Sequence, residues 1–145
     1  MFLGQYRHSF DAKNRLTVPA RFRELLEGGA FITQGFDKAL MVLTIPAFEQ
    51  LYARINSMNI ADPTARHLRR MILGNASQLE IDKSGRILIP QYLRALALLE
   101  GEAVLVGQGD YFEIWSPGNW QQEEETIQDS EASDQRYATL NLTTR

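Results

Sequence analysis

Two aspartate–arginine pairs stand four residues apart: Asp11 and Arg15 in DAKNRLTVP, and Asp82 and Arg86 in DKSGRILIP. An Asp that opens a short polar stretch accepts backbone N–H bonds within a tight turn, while the Arg beyond the turn points outward. Asn14 and Gly85 occupy the place where such a turn calls for positive φ. Asp11, Asn14, Asp82 and Gly85 are therefore expected to build two hairpin tips. A guanidinium on a rigid tip suits a phosphate oxygen or a base edge, and Lys13 adds a second cation beside Arg15. The alternative is an ion pair that only fixes the hairpin.

Other reactive side chains lack companions. His8, Ser9 and Asp11 contain the letters of a catalytic triad, but neighbours on one strand face opposite ways. His8 and His67 have no third nitrogen ligand, and the absence of cysteine excludes thiolate zinc sites, disulfides and a thiol nucleophile. No glycine-rich phosphate loop of the Walker or dinucleotide type occurs. The expectation is a protein that is not an enzyme and that uses no metal, cofactor or small-molecule substrate.

The elements that must carry the tips come twice. Residues 11–26 align with residues 82–97 at an offset of 71, pairing Asp11 with Asp82, Arg15 with Arg86, Pro19 with Pro90 and Arg23 with Arg94. After a two-residue insertion LLEGGAFIT matches LLEGEAVLV, and Phe48 corresponds to Trp120. In each copy, alternation (Tyr6, His8, Phe10; Leu79, Ile81) reads as a strand ending at the Asp. A short strand returns from the tip, and the proline is placed at the first position of a helix. Phe22, Leu25 and Leu26, like Leu93 and Leu96, are expected on the apolar helix face, with Gly28 and Gly101 as helix stops. Two more strands close each copy, the second pair joined by a hairpin loop at GQGD.

Between the copies, Phe48, Leu51, Tyr52, Ile55 and Met58 form an apolar stripe expected to pack on the core. Asp62 and Pro63 cap a second helix reaching about Leu73. On that helix Arg66, Arg69 and Arg70 read more simply as a solvated or subunit-contacting face than as a second DNA site. Beyond Trp120 the segment QQEEETIQDSEASDQ extends one helix and then frays. The expected division is residues 1–50 for the first repeat, 51–74 for a helical insert, 75–120 for the second repeat and 121–145 for an acidic tail, partly helical or disordered.

At 145 residues, 44% hydrophobic and 23% charged, the chain makes one ordinary domain or two very small ones. Its longest apolar runs, residues 39–43 and 95–99, fall far short of the roughly 20 residues of a membrane helix, and no secretory signal opens it. A cytoplasmic protein without a membrane partner is expected. The net charge of −3 hides a gradient: residues 1–25 carry +3, residues 26–115 carry −2, and the tail carries −4. A basic front end remains compatible with phosphate binding.

The motifs DAKNRLTVP and DKSGRILIP, with RRMILGNASQLEID between them and GDYFEIWSPGNW after them, resemble the two halves of the MraZ family over residues 1–120. Asn14 stands where the family pattern has Gly. The resemblance implies an α+β, mainly β fold: an AbrB-like swapped-hairpin β-barrel formed by two internal repeats in one chain, with a helical insert and a C-terminal helix. It also implies a transcriptional regulator that binds short direct repeats of double-stranded DNA upstream of its own operon in the cell-division and cell-wall gene cluster. Family members assemble into homo-oligomeric rings and associate with the nucleoid. On this reading Lys13 and Arg15 contact DNA with help from Arg7, Arg21 and Arg23, while Lys83, Arg86 and Arg94 are second-half candidates. Tyr52, Arg54 and the arginines of the second insert helix are candidates for a subunit contact. The competing readings are a protein-binding assembly module of the same barrel class and a small hydrolase.

Overall fold

The computed structural model describes residues 1–129 and 135–142. The first repeat runs β1 (Gln5–Ser9), β2 (Arg15–Thr17), α1 (Ala20–Leu25), β3 (Ala30–Gln34), β4 (Leu40–Thr44) and α2 (Ile45–Asn56). After α3 (Pro63–Ile72) come β5 (Ser77–Leu79), β6 (Arg86–Leu88), α4 (Gln91–Leu96), β7 (Glu102–Gly107), β8 (Tyr111–Trp115) and α5 (Pro117–Gln128). The strands form a six-stranded sheet in the order β1-β7-β8-β4-β3-β5 and a two-stranded ribbon, β2-β6. The fold is mainly β with several helices. Among the described residues β1 and β5 are the sheet's two edges, so the strand pairing alone is open and does not close a barrel.

The two halves interdigitate. β1 pairs with β7 and β5 with β3, which are equivalent pairings once the repeats are superimposed, while β2 pairs with its own counterpart β6 and β4 with its counterpart β8. The registers agree: His8 lies opposite Ala103 as Leu79 lies opposite Ala30, and Leu16 faces Ile87, its own equivalent. A pseudo-two-fold axis thus passes through the Leu16–Ile87 and Met41–Glu113 pairs.

Alternation along the strands divides the core into layers. One sheet face packs against the ribbon, α1 and α4 through Leu16, Ile87, Phe22, Leu93, Leu105 and Phe112. Phe22 anchors an aromatic knot, with ring centroids 5.2 Å from Phe2, 5.3 Å from Tyr6 and 4.8 Å from Phe112. The other face is covered in two places, by α2 and α3 over Met41 and Leu43 and by α5 over Val104 and Val106. Thr44 and Ser116 cap α2 and α5 by accepting from the N–H groups of Ala47 and Asn119. Asp62 caps α3 in the same way through Thr64. No helix among the described residues is long and apolar enough to cross a membrane.

Several local expectations need correction. Pro19 and Pro90 are N-cap residues, not first helical residues, with ψ of 144° and 141°. Proline's fixed φ fits that extended position, and each proline carbonyl accepts two helical N–H bonds. Leu25 and Leu96 point to solvent, 40% and 44% exposed; in helices of six residues the buried face is Phe22 with Leu26, and Leu93 with Ala97. Gly28 is not the residue that turns the chain after α1: the positive φ belongs to Gly29, and after α4 it belongs first to Leu98 and only then to Gly101. On α2, Tyr52 lies off the packed face, because Phe48, Leu51 and Ile55 already span its contact with β4, and Met58 falls beyond the end of the helix at Asn56 and is 39% exposed. In the acidic tail, Glu131, Asp134 and Arg145 lie outside the described residues.

Candidate nucleic-acid interface

Each hairpin tip is built on its aspartate. Asp11 Oδ1 accepts the backbone N–H bonds of Lys13 at 2.9 Å and Arg15 at 2.8 Å, while Oδ2 accepts Arg15 Nε at 2.7 Å. The Asn14 N–H donates to the Asp11 carbonyl at 2.9 Å, and the φ of 60° at Asn14 turns the following chain so that the Arg15 N–H returns to the Asp11 carboxylate. Asp82 repeats the pattern with the N–H groups of Ser84 and Arg86 at 2.9 Å and with Arg86 Nε at 3.0 Å; Gly85 takes φ 78°. The backbone N–H of Arg15 does most to hold the Asp11 carboxyl below its usual range, and that of Arg86 does the same for Asp82. Asp and Arg therefore form the structural pair that one reading of the motif anticipated. This does not use up the arginine, since a guanidinium anchored through Nε keeps its terminal amino groups for a second partner.

The ribbon sets where those amino groups go. Directly opposed residues of an antiparallel pair share a face. Leu16 and Ile87 point inward, 0% and 1% exposed, so Arg15, Thr17, Arg86 and Leu88 all lie on the outer face. Lys13 and Lys83, both exposed, stand on the two turns at opposite ends of the ribbon. Arg86 Nη1 also approaches Asp11 Oδ2 at 3.6 Å and so faces two carboxylates, whereas among the described residues Arg15 is paired with Asp11. The product is a rigid, outward-facing basic strip with Thr17 and an exposed Leu88 between its arginines. The repeats set Leu88 and Ser84 in the places of Thr17 and Lys13, which makes the amino-terminal tip the more polar candidate. That Thr17 and Leu88 share the outer face with the arginines was not read, although the two-residue periodicity of the ribbon, Arg15 to Thr17 and Arg86 to Leu88, carried that signal.

The family described as "MraZ protein, putative antitoxin-like" matches the chain twice, over residues 1–71 and 72–141. The chain belongs to the MraZ family. Three relatives, each named transcriptional regulator MraZ, illustrate the similarity. The protein of Thermomicrobium roseum is 44% identical over 97% of this chain and 99% of its own length. That of Herpetosiphon aurantiacus is 44% identical over 92% of this chain and 91% of its own. That of Roseiflexus castenholzii is 46% identical over 83% of this chain and 85% of its own. The two family matches divide at the last residue of α3, and the second runs past α5 to residue 141.

The remaining cations of this MraZ-family chain are placed differently. Arg21 is exposed on α1. Arg23 lies half-buried across the opposite tip, where a Cβ on Gly85 would collide with its guanidinium, and its Nε is buried without a hydrogen-bond partner among the described residues. Arg94 turns its Nε to the Ile89 carbonyl at 3.1 Å. Arg7 stands on the sheet face that carries α5, 3.8 Å from Glu102 and beside Trp120 and Glu124, away from the ribbon. The structure therefore groups Lys13, Arg15, Lys83 and Arg86, sets Arg23 and Arg94 against the backbone behind them, and separates Arg7.

Two of the insert arginines are structural. Arg66 Nη1 donates to the carbonyls of Ile60 and Ala61, and Arg69 donates to the carbonyls of Ile55 and Asn56 and to Asn56 Oδ1 at 3.0 Å. They fasten the α2–α3 connection, which helical spacing alone could not show; Arg70 is exposed. A further polar feature escaped the sequence reading. Glu113, 7% exposed, accepts from Gln108 Nε2 at 2.8 Å and Trp115 Nε1 at 3.0 Å. Burial pushes its carboxyl up, those two bonds oppose the shift, and Asp37 and Glu123 add to it.

Proposed function

We propose that this chain is a sequence-specific DNA-binding transcriptional regulator without catalytic activity, acting in the cytoplasm on the nucleoid. The observation that carries the reading is the ribbon's outer face, where Arg15 and Arg86 are held rigidly by Asp11 and Asp82 with Lys13 and Lys83 at either end. A two-stranded ribbon fits the major groove, and bidentate arginine suits guanine or phosphate. The relatives' shared name, transcriptional regulator MraZ, supports the same reading. Arg21, Arg23 and Arg94 flank the strip as secondary contacts; Arg7 belongs to the interface only if DNA reaches around the sheet edge.

The cross-pairing of the halves supports an AbrB-like swapped-hairpin barrel, in which the ribbon closes over the sheet. The family resemblance further assigns short direct repeats upstream of the protein's own operon as the target, and a ring as the assembly that reads them. One ribbon offers few cationic groups, so binding to a single repeat at physiological salt is weak. Identical subunits in a closed ring present several ribbons at once and gain affinity through effective concentration.

The test is protection of the protein's own upstream DNA, with salt titrations of binding. Arg15→Ala is expected to weaken binding while preserving solution mass and the melting transition. Lys13→Ala is expected to flatten the salt dependence by about one unit for each phosphate the lysine no longer neutralises. Unchanged affinity in a folded Arg15→Ala protein would falsify the role given to the strip.

A further inference from the structure

We propose that the C-terminal arm of one copy, residues 135–142, docks in the apolar groove between α2 and α3 of a second copy. The inference rests on the self-association in the reading above and names the surfaces that make it.

The groove has a volume of about 580 Å³ and is lined by Phe36, Leu43, Ala47, Leu51, Met58 and Leu68 among others. Phe36 on its rim is 54% exposed and Met58 39%. The internal repeat supplies a control within the same molecule. At an offset of 72, Thr44 and Ser116 are equivalent caps and Phe48 corresponds to Trp120. The matching cleft on the second half is lined by Trp115, Asn119, Glu123 and Thr126, which replace Leu43, Ala47, Leu51 and Arg54. One copy of the cleft is apolar and the other is polar and acidic, although both follow from the same fold.

The same offset places residues 135–142 where the first half has residues 63–70 of α3. There Ala65 is buried and Leu68 packs beside α2. Their counterparts Tyr137 and Leu140 are 47% and 63% exposed, and Leu142 is 93% exposed. The arm keeps apolar side chains at these positions, but the face of α5 equivalent to the groove carries Asn119, Gln122 and Glu123. Arg136 Nη1 donates to the Thr126 carbonyl at 3.1 Å, which ties the start of the arm to the end of its own α5. Among the described residues, the arm thus lacks a matching apolar cleft on its own half, while the first half keeps an open apolar groove beside α2 that α3, the arm's counterpart, lines but does not fill.

Charge follows the same division. Exposed Arg54 and Arg70 flank the α2–α3 side, and Glu124 and Glu125 precede the arm on α5. A neighbour's arm entering this cleft therefore brings an acidic helix toward a basic rim. The contact joins two different surfaces, so it runs head to tail and propagates into a ring or a filament.

The experiment measures the solution mass of the full chain and of two variants, Leu140→Asp combined with Leu142→Asp on the arm, and Phe36→Asp on the groove rim. All three positions are exposed, and an unchanged melting curve confirms the fold. The parent is expected to be multimeric and each variant to fall to a single subunit. An equimolar mixture of the two variants is expected to form dimers and nothing larger, since one intact arm meets one intact groove. A monomeric parent, as when the arm folds into its own groove, overturns the proposal. So do variants that assemble like the parent, or a mixture that stays monomeric at the highest soluble concentration. The arm variant is expected to keep its binding to a single DNA site, whereas Arg15→Ala loses DNA and keeps its mass, so failure of the assembly and failure of the DNA reading are distinguishable.

Discussion

At each tip the ionised carboxylate is what the turn is folded around: Asp11 and Asp82 each accept two backbone N–H bonds and an arginine Nε, and their carboxyls are held low. Because the folded value lies below the unfolded one, the stability they contribute is present above the ordinary carboxylate range and is lost as pH falls through the folded value. Glu113 has the opposite sign. Burial raises its carboxyl, so ionisation opposes folding, with no cost below the unfolded value and the full cost above the folded one. Glu113→Gln keeps an oxygen to accept from Trp115 Nε1 and removes the charge. Its melting temperature at pH 7–8 is expected to exceed the parent's by a few degrees, a gap that closes as pH is lowered toward about 4. A gap that stays constant with pH in thermal melts followed by circular dichroism rules this account out.

Among the elements, the ribbon shows how equivalent turns diverge. Asn14 and Gly85 both take positive φ, but Asn14 is exposed, whereas Gly85 is buried beneath Arg23 and its carbonyl accepts from the N–H of Val18. Asn14→Gly relieves a left-handed side chain and is expected to change stability by no more than about 1 kcal/mol, in the stabilising direction. Gly85→Ala combines a strained φ with a Cβ driven into the Arg23 guanidinium and is expected to destabilise by about 1–2 kcal/mol or more. Urea unfolding of the two variants measures the asymmetry, and equal effects would show that the tips are interchangeable. The tip residues Asn14 and Gly85 and the capping pair Asp62 with Pro63 were legible in the sequence because their geometry is local. The buried side of α1 was not: Leu25 fits a helical apolar pattern as well as Leu26 does, and only the position of the sheet decides that Leu26 is covered.

For the whole molecule, the decisive feature is that the four strand pairings other than the hairpins β3–β4 and β7–β8 join one repeat to the other. Each half by itself would expose unpaired strands and half of the core containing Leu16, Ile87, Phe22 and Leu93. Residues 1–75 and 76–145 expressed separately are expected to lack a cooperative melt, and mixing them is expected to restore one. Two independently stable monomers would show that the shared core is not what holds the molecule together.

The sequence by itself determined the duplication, the two Asp-x-x-x-Arg tips, the Asp62–Pro63 start of α3 and the absence of thiol chemistry, because residue type and short-range spacing control each of these. Tertiary structure alone decided which cations meet. Lys13 and Lys83 lie 70 positions apart in the chain and share one ribbon, while Arg7, only six residues from Lys13, is carried to the other side of the sheet. It also turned Arg66 and Arg69 from a basic face into ties on neighbouring carbonyls, and buried Glu113 against Trp115. The physical reason is that a strand's alternation tells which residues share a face, but the partner strand and its register decide what that face meets.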